Sequence, residues 1–181
     1  MNHTYKGIIF LSLALIVAVF ASPSRTAIDD PYVIPTPKMV SLSIESIDVH
    51  APIEEVGLSG TAMAVPEDPS AIGWYKHGVS PGNSGSAVMA GHVNWNGGLA
   101  GVFVDLHLMN RGDIITVHYE DTSQVSFMVH NIQRYPLDHD TRDVFIADDT
   151  MSHLNLITCD GDWDTTMDTH ELRLVVFSTK I

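Results

Sequence analysis

The feature that most constrains this chain is a succession of short, β-rich runs separated by turn residues, from Val40 to the C-terminus. The clearest case is a hairpin in which apolar and polar side chains alternate on both sides of residues 120–123. Its apolar positions are Ile115, Val117, Tyr119, Val125, Phe127 and Val129. Many short strands with turn signals between them predict a mostly all-β domain, folded as a closed barrel or as a sandwich.

The connections between these strands give finer predictions. We expect short helical turns within residues 70–75, 102–109 and 144–147. An apolar run at residues 154–157 leads into Cys159, and an Asp-Gly pair follows it. This pattern predicts a buried strand that ends at the cysteine and a loop over residues 160–170.

Composition limits the classes of function. The 181 residues carry 9 Lys and Arg against 22 Asp and Glu, which gives a formal net charge of −13. Nucleic-acid binding and docking on anionic lipid both need a basic surface, so the charge argues against both. A hydrophobic fraction of 45% predicts a globular domain with a sizeable core. Because the chain has one cysteine, it cannot form an internal disulfide.

The N-terminus resembles a membrane-targeting segment. Residues 1–6 are polar, with Lys6 positive, and residues 7–21 are apolar apart from one serine. A cleaved signal peptide and an uncleaved signal anchor both fit this pattern, and we favour an anchor over residues 1–22. Residues 23–39 are rich in proline and predict a linker. The folded domain, residues 40–181, is therefore expected outside the cytosol, held at the cell membrane.

Three side chains lie where β-rich runs begin or end, and each has either a reactive role or an ordinary structural role. Cys159 is either a nucleophile held at a strand end or a small buried hydrophobe. His92 follows the apolar run at residues 87–90 and is either a proton-transfer partner for a thiol or a hydrogen-bonded turn residue. Arg173 begins the last run and either neutralises developing negative charge or is a surface charge.

An ordered set of motifs makes the chain similar to the sortase family over about residues 40–181. Three carry the reactive side chains: Ala90-Gly91-His92, Leu156-Ile157-Thr158-Cys159 and Arg173-Leu174-Val175-Val176. Others resemble the sortases often grouped as classes D to F: Gly73-Trp74-Tyr75, Pro81-Gly82-Asn83-Ser84-Gly85, Phe103-Val104-Asp105-Leu106 and Arg111-Gly112-Asp113.

The resemblance implies a β-barrel of about eight strands and a cysteine transpeptidase without a cofactor. Sortases join proteins that carry a sorting signal, similar to Leu-Pro-x-Thr-Gly, to an amine of the cell wall or of a pilin. Carried over to this chain, Cys159 would form a thioester with the signal peptide and His92 would transfer protons. Arg173 would bind the oxyanion or the substrate backbone. Many sortases are held at the membrane by an N-terminal anchor, as we expect here.

Two alternatives use the same barrel. A cysteine peptidase would use the same residues and let water accept the peptide, whereas a non-catalytic surface module would only present loops for adhesion. Three further residues are candidate substrate contacts: Thr158, and the tryptophans Trp95 and Trp163, which we expect in loops after His92 and Cys159.

The sequence does not favour a metal site. Its histidines lack the His-x-x-x-His spacing on a helix that would suggest zinc. An acidic run lacks the EF-hand pattern, so we favour a solvated loop there and keep calcium as the alternative. The run consists of Asp138, Asp140, Asp143, Asp148 and Asp149.

Overall fold

The structure, a computed structural model, describes residues 37–181, and strands account for most of them. The strands are β1 (Met39–Ile44), β2 (Val49–Val56), β3 (Leu58–Ser59), β4 (Ala62–Met63), β5 (Ile72–Tyr75), β6 (Gly85–Ala90), β7 (Asn94–Trp95), β8 (Leu99–Ala100), β9 (Ile114–Tyr119), β10 (Gln124–Pro136), β11 (Ser152–Asp164) and β12 (Thr169–Lys180). The helical elements are α1 (Arg142–Phe145) and 3₁₀ turns at Glu45–Ile47, Asn96–Gly98 and Leu106–Leu108.

Eight strands join edge to edge in the order β1-β2-β5-β6-β11-β12-β10-β9, and β9 pairs with β1 to close a barrel. The β2–β5 and β6–β11 pairs are parallel, and the other pairs are antiparallel. The short strands form two separate hairpins, β3–β4 and β7–β8. The predicted all-β fold with a closed barrel of about eight strands is therefore confirmed, and the sandwich is excluded.

Alternation along β11 separates the barrel interior from its outer surface. Leu154 and Leu156 belong to the core that fills the barrel, whereas Ile157 packs against an outer apolar cluster. Successive side chains of a strand point to opposite faces, so Cys159 shares the outer face with Ile157. The outer cluster consists of Val88, Tyr135, Val144 and Val175, and it packs α1 against the barrel wall.

The β11–β12 hairpin corrects the prediction that a strand ends at Cys159 and a loop spans residues 160–170. β11 continues through Cys159 to its last residue, Asp164, and β12 begins five residues later. The continuation depends on a register shift between Asp160 and Trp163, within which Gly161 has a φ of 77°. Glycine adopts this left-handed conformation without steric cost, so the Asp-Gly pair forms a bulge instead of ending the strand.

The turn of this hairpin is held by Asp164. Its carboxylate accepts hydrogen bonds from the backbone N–H groups of Thr166 at 2.7 Å and Met167 at 3.1 Å. Bonding to these N–H groups favours the charged form and lowers the pKa of Asp164 below its ordinary value. The two long strands are therefore connected by a short, internally bonded turn.

The predicted helical turns have different outcomes. A single 3₁₀ turn lies within residues 102–109, and α1 begins two residues before the predicted 144–147. The helical turn expected within residues 70–75 is wrong, because residues 72–75 form β5 between β2 and β6. Ile72 and Trp74 are buried there, and buried backbone groups need the hydrogen-bond partners that a sheet provides.

Most predictions for the N-terminal segment concern residues that precede the described part of the chain. The signal anchor proposed for residues 1–22, and the linker as far as residue 36, lie outside the described residues. β1 begins at Met39, one residue before the expected start of the domain. Within residues 37–181, none of the helices has the length and apolar character needed to cross a membrane.

Candidate active site

A cleft of about 420 Å³ opens on the outer surface of the barrel beside Cys159. One wall is formed by the residues that follow β6, including the β7–β8 hairpin, and the other is formed by the β11–β12 hairpin. The lining residues include His92, Asn94, Trp95, Cys159, Trp163 and His170. The structure thus brings the sole thiol of the chain and the predicted histidine into one cleft.

The parallel pairing of β6 with β11 explains why His92 and Cys159 share this cleft. Parallel strands run in the same direction, so the residues that follow β6 emerge beside the end of the paired part of β11. The N–H of Gly91 donates to the carbonyl oxygen of Ile157 at 3.1 Å, and the Thr158 hydroxyl donates to the carbonyl oxygen of Gly91 at 2.8 Å. These two hydrogen bonds fix the segment that carries His92 against the strand that carries Cys159.

The imidazole of His92 has a defined tautomer when it is neutral. Its Nε2 lies 2.9 Å from the carbonyl oxygen of Pro66. Because a carbonyl oxygen only accepts hydrogen bonds, Nε2 carries the hydrogen and Nδ1 carries the lone pair that can take up a proton. Trp95 packs edge-to-face against the ring, with the centroids 4.6 Å apart, and restricts its orientation.

The backbone at His92 is packed closely against the chain that returns to the barrel at Gly101. The N–H of Phe103 donates to the carbonyl oxygen of His92 at 2.9 Å. A Cβ atom at position 101 would lie 2.2 Å from the same oxygen. Any residue other than glycine at this position would therefore displace the backbone of His92.

Arg173 lies directly opposite Cys159 in the β11–β12 ladder, but its guanidinium turns towards the start of its own strand. Nη1 donates to the carbonyl oxygens of His170 at 3.0 Å and Leu172 at 2.9 Å, and Nη2 donates to Oγ1 of Thr169 at 3.0 Å. A guanidinium has five N–H donors, so Nε and one hydrogen of Nη2 are not used in these bonds. The positive charge of Arg173 lies beside Thr169, which itself lines the cleft.

The three predicted substrate contacts occupy different places. Trp95 and Trp163 line the cleft, and Trp163 is 51% exposed, so its indole is accessible to a ligand. Thr158 is only 4% exposed and uses its hydroxyl to bond Gly91, so it lies behind the cleft. The expectation that both tryptophans lie in loops is wrong: each belongs to a strand, because the segments after His92 and Cys159 form hairpins.

His170 is a cleft residue that the sequence analysis did not identify. It lies opposite Trp163 in the β11–β12 ladder, and the two rings meet edge-to-face with centroids 5.3 Å apart. The signal that could have located it is the pairing register of the last two strands. Because the sequence pattern predicts a loop over residues 160–170, it gives Trp163 no cross-strand partner.

The acidic run provides little that would hold a cation. Three of its carboxylates are bonded to neighbouring side chains: Asp140 to Arg142, Asp143 to Tyr135, and Asp149 to His153. The bond from His153 is the main cause of the lowered pKa of Asp149. These contacts occupy one or both oxygens of each of the three carboxylates, and within residues 37–181 no three His, Cys, Asp or Glu side chains are arranged to bind a metal ion.

Comparison with known proteins identifies one family for this chain. A family model described as the sortase domain matches residues 42–181. A search of curated proteins found no match.

Three solved structures show the extent of the likeness. Sortase A from Corynebacterium diphtheriae aligns with 81% of this chain and 62% of its own, with a TM-score of 0.61 and 21% identity. Sortase C-1 from Actinomyces oris aligns with 81% of this chain and 76% of its own, with a TM-score of 0.61 and 20% identity. Sortase C1 from Streptococcus agalactiae aligns with 82% of this chain and 70% of its own, with a TM-score of 0.60 and 23% identity.

These structures have low sequence identity and show a shared fold, and this chain spans less than two thirds of the C. diphtheriae protein. The family model matches well over half of the chain, because it begins within the first strand of the barrel and continues to the last residue. The chain therefore belongs to the sortase family.

Proposed function

We propose that this protein is a cysteine transpeptidase that cleaves a sorting-signal peptide through a thioester at Cys159. The observation that carries the proposal is that Cys159, the sole thiol, and His92 line the same cleft within a sortase-family barrel. A thiol on the outer face of a long strand is supported by the barrel beneath it and open to a peptide above it.

The reaction starts from the Cys159 thiolate and the His92 imidazolium. The sulfur attacks the carbonyl carbon of the scissile peptide bond, the carbon–nitrogen bond breaks, and the leaving amine takes the proton from His92. The products of this step are a thioester and a neutral imidazole. An acceptor amine then attacks the thioester and gives a proton to His92, and the thiolate leaves. The accepting nitrogen on neutral His92 is Nδ1, since Nε2–H is bonded to Pro66.

Arg173 would stabilise the negative charge that develops on the carbonyl oxygen. Its uncommitted Nε–H and Nη2–H are the donors for this role, while its other donors hold the carbonyl oxygens of His170 and Leu172. The guanidinium would therefore reach the oxyanion either with these free donors or after releasing Thr169.

The substrates and location follow from the resemblance. The donor would be a surface protein with a signal similar to Leu-Pro-x-Thr-Gly, and the acceptor would be an amine of a cell-wall peptide or of a pilin. The N-terminal segment would hold the enzyme at the cell membrane with its barrel outside. The motifs shared with sortase classes D to F support placing the chain near those classes.

Incubation with a panel of sorting-signal peptides, with and without amines, tests the function by mass spectrometry. A ligated product that requires the amine supports transpeptidation. A cleaved peptide without ligation in any amine would instead support the cysteine peptidase. Binding without cleavage by every peptide would support the non-catalytic surface module.

Two histidine variants give this assay a matched control. His92→Ala should abolish product formation, whereas His107→Ala should not, because His107 is an exposed residue of the 3₁₀ turn and does not line the cleft. Equal activity of the two variants would exclude His92 from proton transfer.

A further inference from the structure

His170 contacts both walls of the cleft and the guanidinium of Arg173. Its Nδ1 lies 2.9 Å from the carbonyl oxygen of Gly161, and its Nε2 lies 3.2 Å from Nδ2 of Asn94. Its backbone carbonyl oxygen accepts the hydrogen bond from Nη1 of Arg173 at 3.0 Å. One residue therefore connects three separate pieces of the site.

The chemistry of these partners fixes the hydrogen on the His170 ring. The Gly161 carbonyl oxygen only accepts, so Nδ1 of His170 carries the hydrogen. In the neutral ring Nε2 then has a lone pair, and it accepts a hydrogen bond from the Asn94 side-chain amide. A single neutral tautomer satisfies both contacts.

The ring of His170 is also held sterically. Trp163 packs edge-to-face against it, at an interplanar angle of 90°. The ring is only partly exposed, and the backbone of His170 is paired with β11 at Trp163. Its direction towards Asn94 is thus set by contacts on the β11–β12 hairpin.

The two hydrogen-bond partners of the His170 ring, Asn94 and Gly161, lie close in sequence to His92 and Cys159. Asn94 follows His92 by two residues and begins the β7–β8 hairpin, where it pairs with Ala100. Gly161 follows Cys159 by two residues and lies in the bulge of β11. The Asn94–His170 bond thus joins the wall that carries the imidazole to the wall that carries the thiol, in addition to the backbone bond at Gly91.

We propose that His170 is a positioning residue that sets the relative placement of His92 and Cys159 through its bonds to Asn94 and Gly161. This inference rests on the proposed function, because it assumes that the imidazole and the thiol act together. His170 itself neither touches the reacting atoms nor transfers a proton. It keeps the two walls at a fixed separation, and such placement matters because a displacement of about 1 Å can cost a reaction roughly 10²-fold.

Two substitutions at this position separate its two bonds. His170→Asn keeps a donor near the position of Nδ1 but is too short to reach Asn94. His170→Gln extends an amide to the position of Nε2 and loses the donor to Gly161. Asn94→Ala removes the partner on the other wall, and because Asn94 is exposed, this variant should fold normally even if a change at His170 does not.

The first readout is alkylation of the full chain by iodoacetamide over a range of pH. Because Cys159 is the only cysteine, the rate reports on that thiol alone. We expect His170→Asn and Asn94→Ala to change the pH profile in the same direction as His92→Ala, and His170→Gln to retain more of the wild-type profile. An unchanged profile in Asn94→Ala, with His92→Ala changed, would overturn the proposal.

The second readout is turnover of a sorting peptide that the wild type accepts. His170→Asn and Asn94→Ala should each lower kcat by about 10- to 100-fold with little change in KM. The double variant should be no worse than either single variant, since both remove the same bond. Additive losses would contradict the proposal. His77→Asn is the matched control, because His77 also packs edge-to-face on an aromatic ring, that of Tyr75, away from the cleft.

The two readouts keep this inference distinct from the proposed function. If no peptide forms a thioester while the alkylation profile changes as expected, transpeptidation is wrong and the positioning role stands. If thioester forms normally in both Asn94→Ala and His170→Asn, the proposed function stands and the positioning role is wrong.

Discussion

Cys159 and Arg173 face each other directly across the antiparallel pair of β11 and β12. Their side chains nevertheless have different surroundings. The thiol lines the cleft, whereas the guanidinium is bonded to two carbonyl oxygens and a hydroxyl of its own strand. Arg173 therefore supports the wall of the cleft as well as providing charge, and both roles depend on the planar arrangement of its donors.

Arg173→Lys should separate geometry from charge. Lysine keeps the positive charge but has no planar fork, so it cannot hold two carbonyl oxygens and also present donors to an oxyanion. We expect turnover to fall by about 10²- to 10³-fold, as for the loss of one oxyanion donor. The melting temperature should fall slightly, because each lost hydrogen bond is worth only about 1 kcal/mol.

Arg111→Lys is the matched control for this change. Arg111 also donates to a backbone carbonyl oxygen, but its partner His130 lies away from the cleft, whereas Arg173 bonds to Thr169 and His170, which line it. Turnover of Arg173→Lys equal to that of Arg111→Lys would mean that Arg173 has no part in catalysis. A large loss of stability in Arg173→Lys alone would show that its role is structural.

Gly101→Ala should damage the site through the backbone of His92. The added Cβ would lie 2.2 Å from the carbonyl oxygen of His92, so the segment must move. Overpacking of this kind costs about 1–3 kcal/mol, and we expect a lower melting temperature together with a loss of turnover of about 10²-fold or more.

Gly57→Ala provides the comparison, because the nearest atom to an added Cβ there is 3.7 Å away, on the flexible side chain of Lys76. Thermal unfolding and peptide turnover of both variants decide the matter. Wild-type turnover in Gly101→Ala would show that the placement of the His92 backbone is not critical.

The sequence predicted the features that depend on local pattern. Alternating residues such as Ile115 and Val117 identify strands, and short strands with turns between them predict a barrel or a sandwich. His92 and Cys159 could be named as candidates because each follows an apolar run, but the choice of the reactive interpretation came from the resemblance to the sortase family. The strand predictions need only the residues themselves and their immediate neighbours, whereas the roles of His92 and Cys159 needed the ordered set of motifs along the chain.

The remaining features depend on register between distant segments. Gly161 reads as a turn residue, but the partner strand lets it form a bulge, and this alone places His170 opposite Trp163. The requirement for glycine at position 101 arises from the backbone of His92, nine residues earlier. The direction of the Arg173 guanidinium is likewise set by carbonyl oxygens whose positions only the folded hairpin defines.

The N-terminal limit of the domain can be tested with two fragments that carry the same added initiator methionine. Residues 37–181 should be stable, because they include the whole barrel. Residues 40–181 should be less stable by about 2 kcal/mol, since Met39 is 9% exposed and packs in the core. The shorter fragment also loses Lys38, whose carbonyl oxygen accepts from the N–H of Glu120 at 3.0 Å. Equal denaturation midpoints would show that β1 can begin at Val40.

Stability should depend on pH through His130. Partial desolvation by its neighbours lowers the pKa of the largely exposed His130 below its ordinary value of 6.5, and the nearby charges of His153 and Arg111 add to this effect. The unfolded chain then binds a proton more readily than the folded protein. The contribution of His130 to the free energy of unfolding is therefore complete above pH 6.5, and it is lost as the pH falls towards the lower pKa of the folded state.

Replacement of His130 by asparagine should remove this part of the pH dependence. Between pH 7.5 and 5.5, the melting temperature of wild type should fall by about 1–2 °C more than that of the variant, a small effect because the side chain is exposed. His139→Asn, which changes another exposed histidine, is the control. Parallel falls in wild type and His130→Asn would contradict the assignment.

The most direct test of the central claim is to trap the acyl-enzyme and locate the bond. Wild-type protein mixed with a sorting peptide and no amine should gain the mass of the peptide's N-terminal part, and digestion should place the added mass on Cys159. The adduct should be lost on treatment with hydroxylamine, which cleaves thioesters, and Cys159→Ala should never form it. Cleavage of the peptide by Cys159→Ala, or an adduct on any residue other than Cys159, would contradict the assignment of the nucleophile.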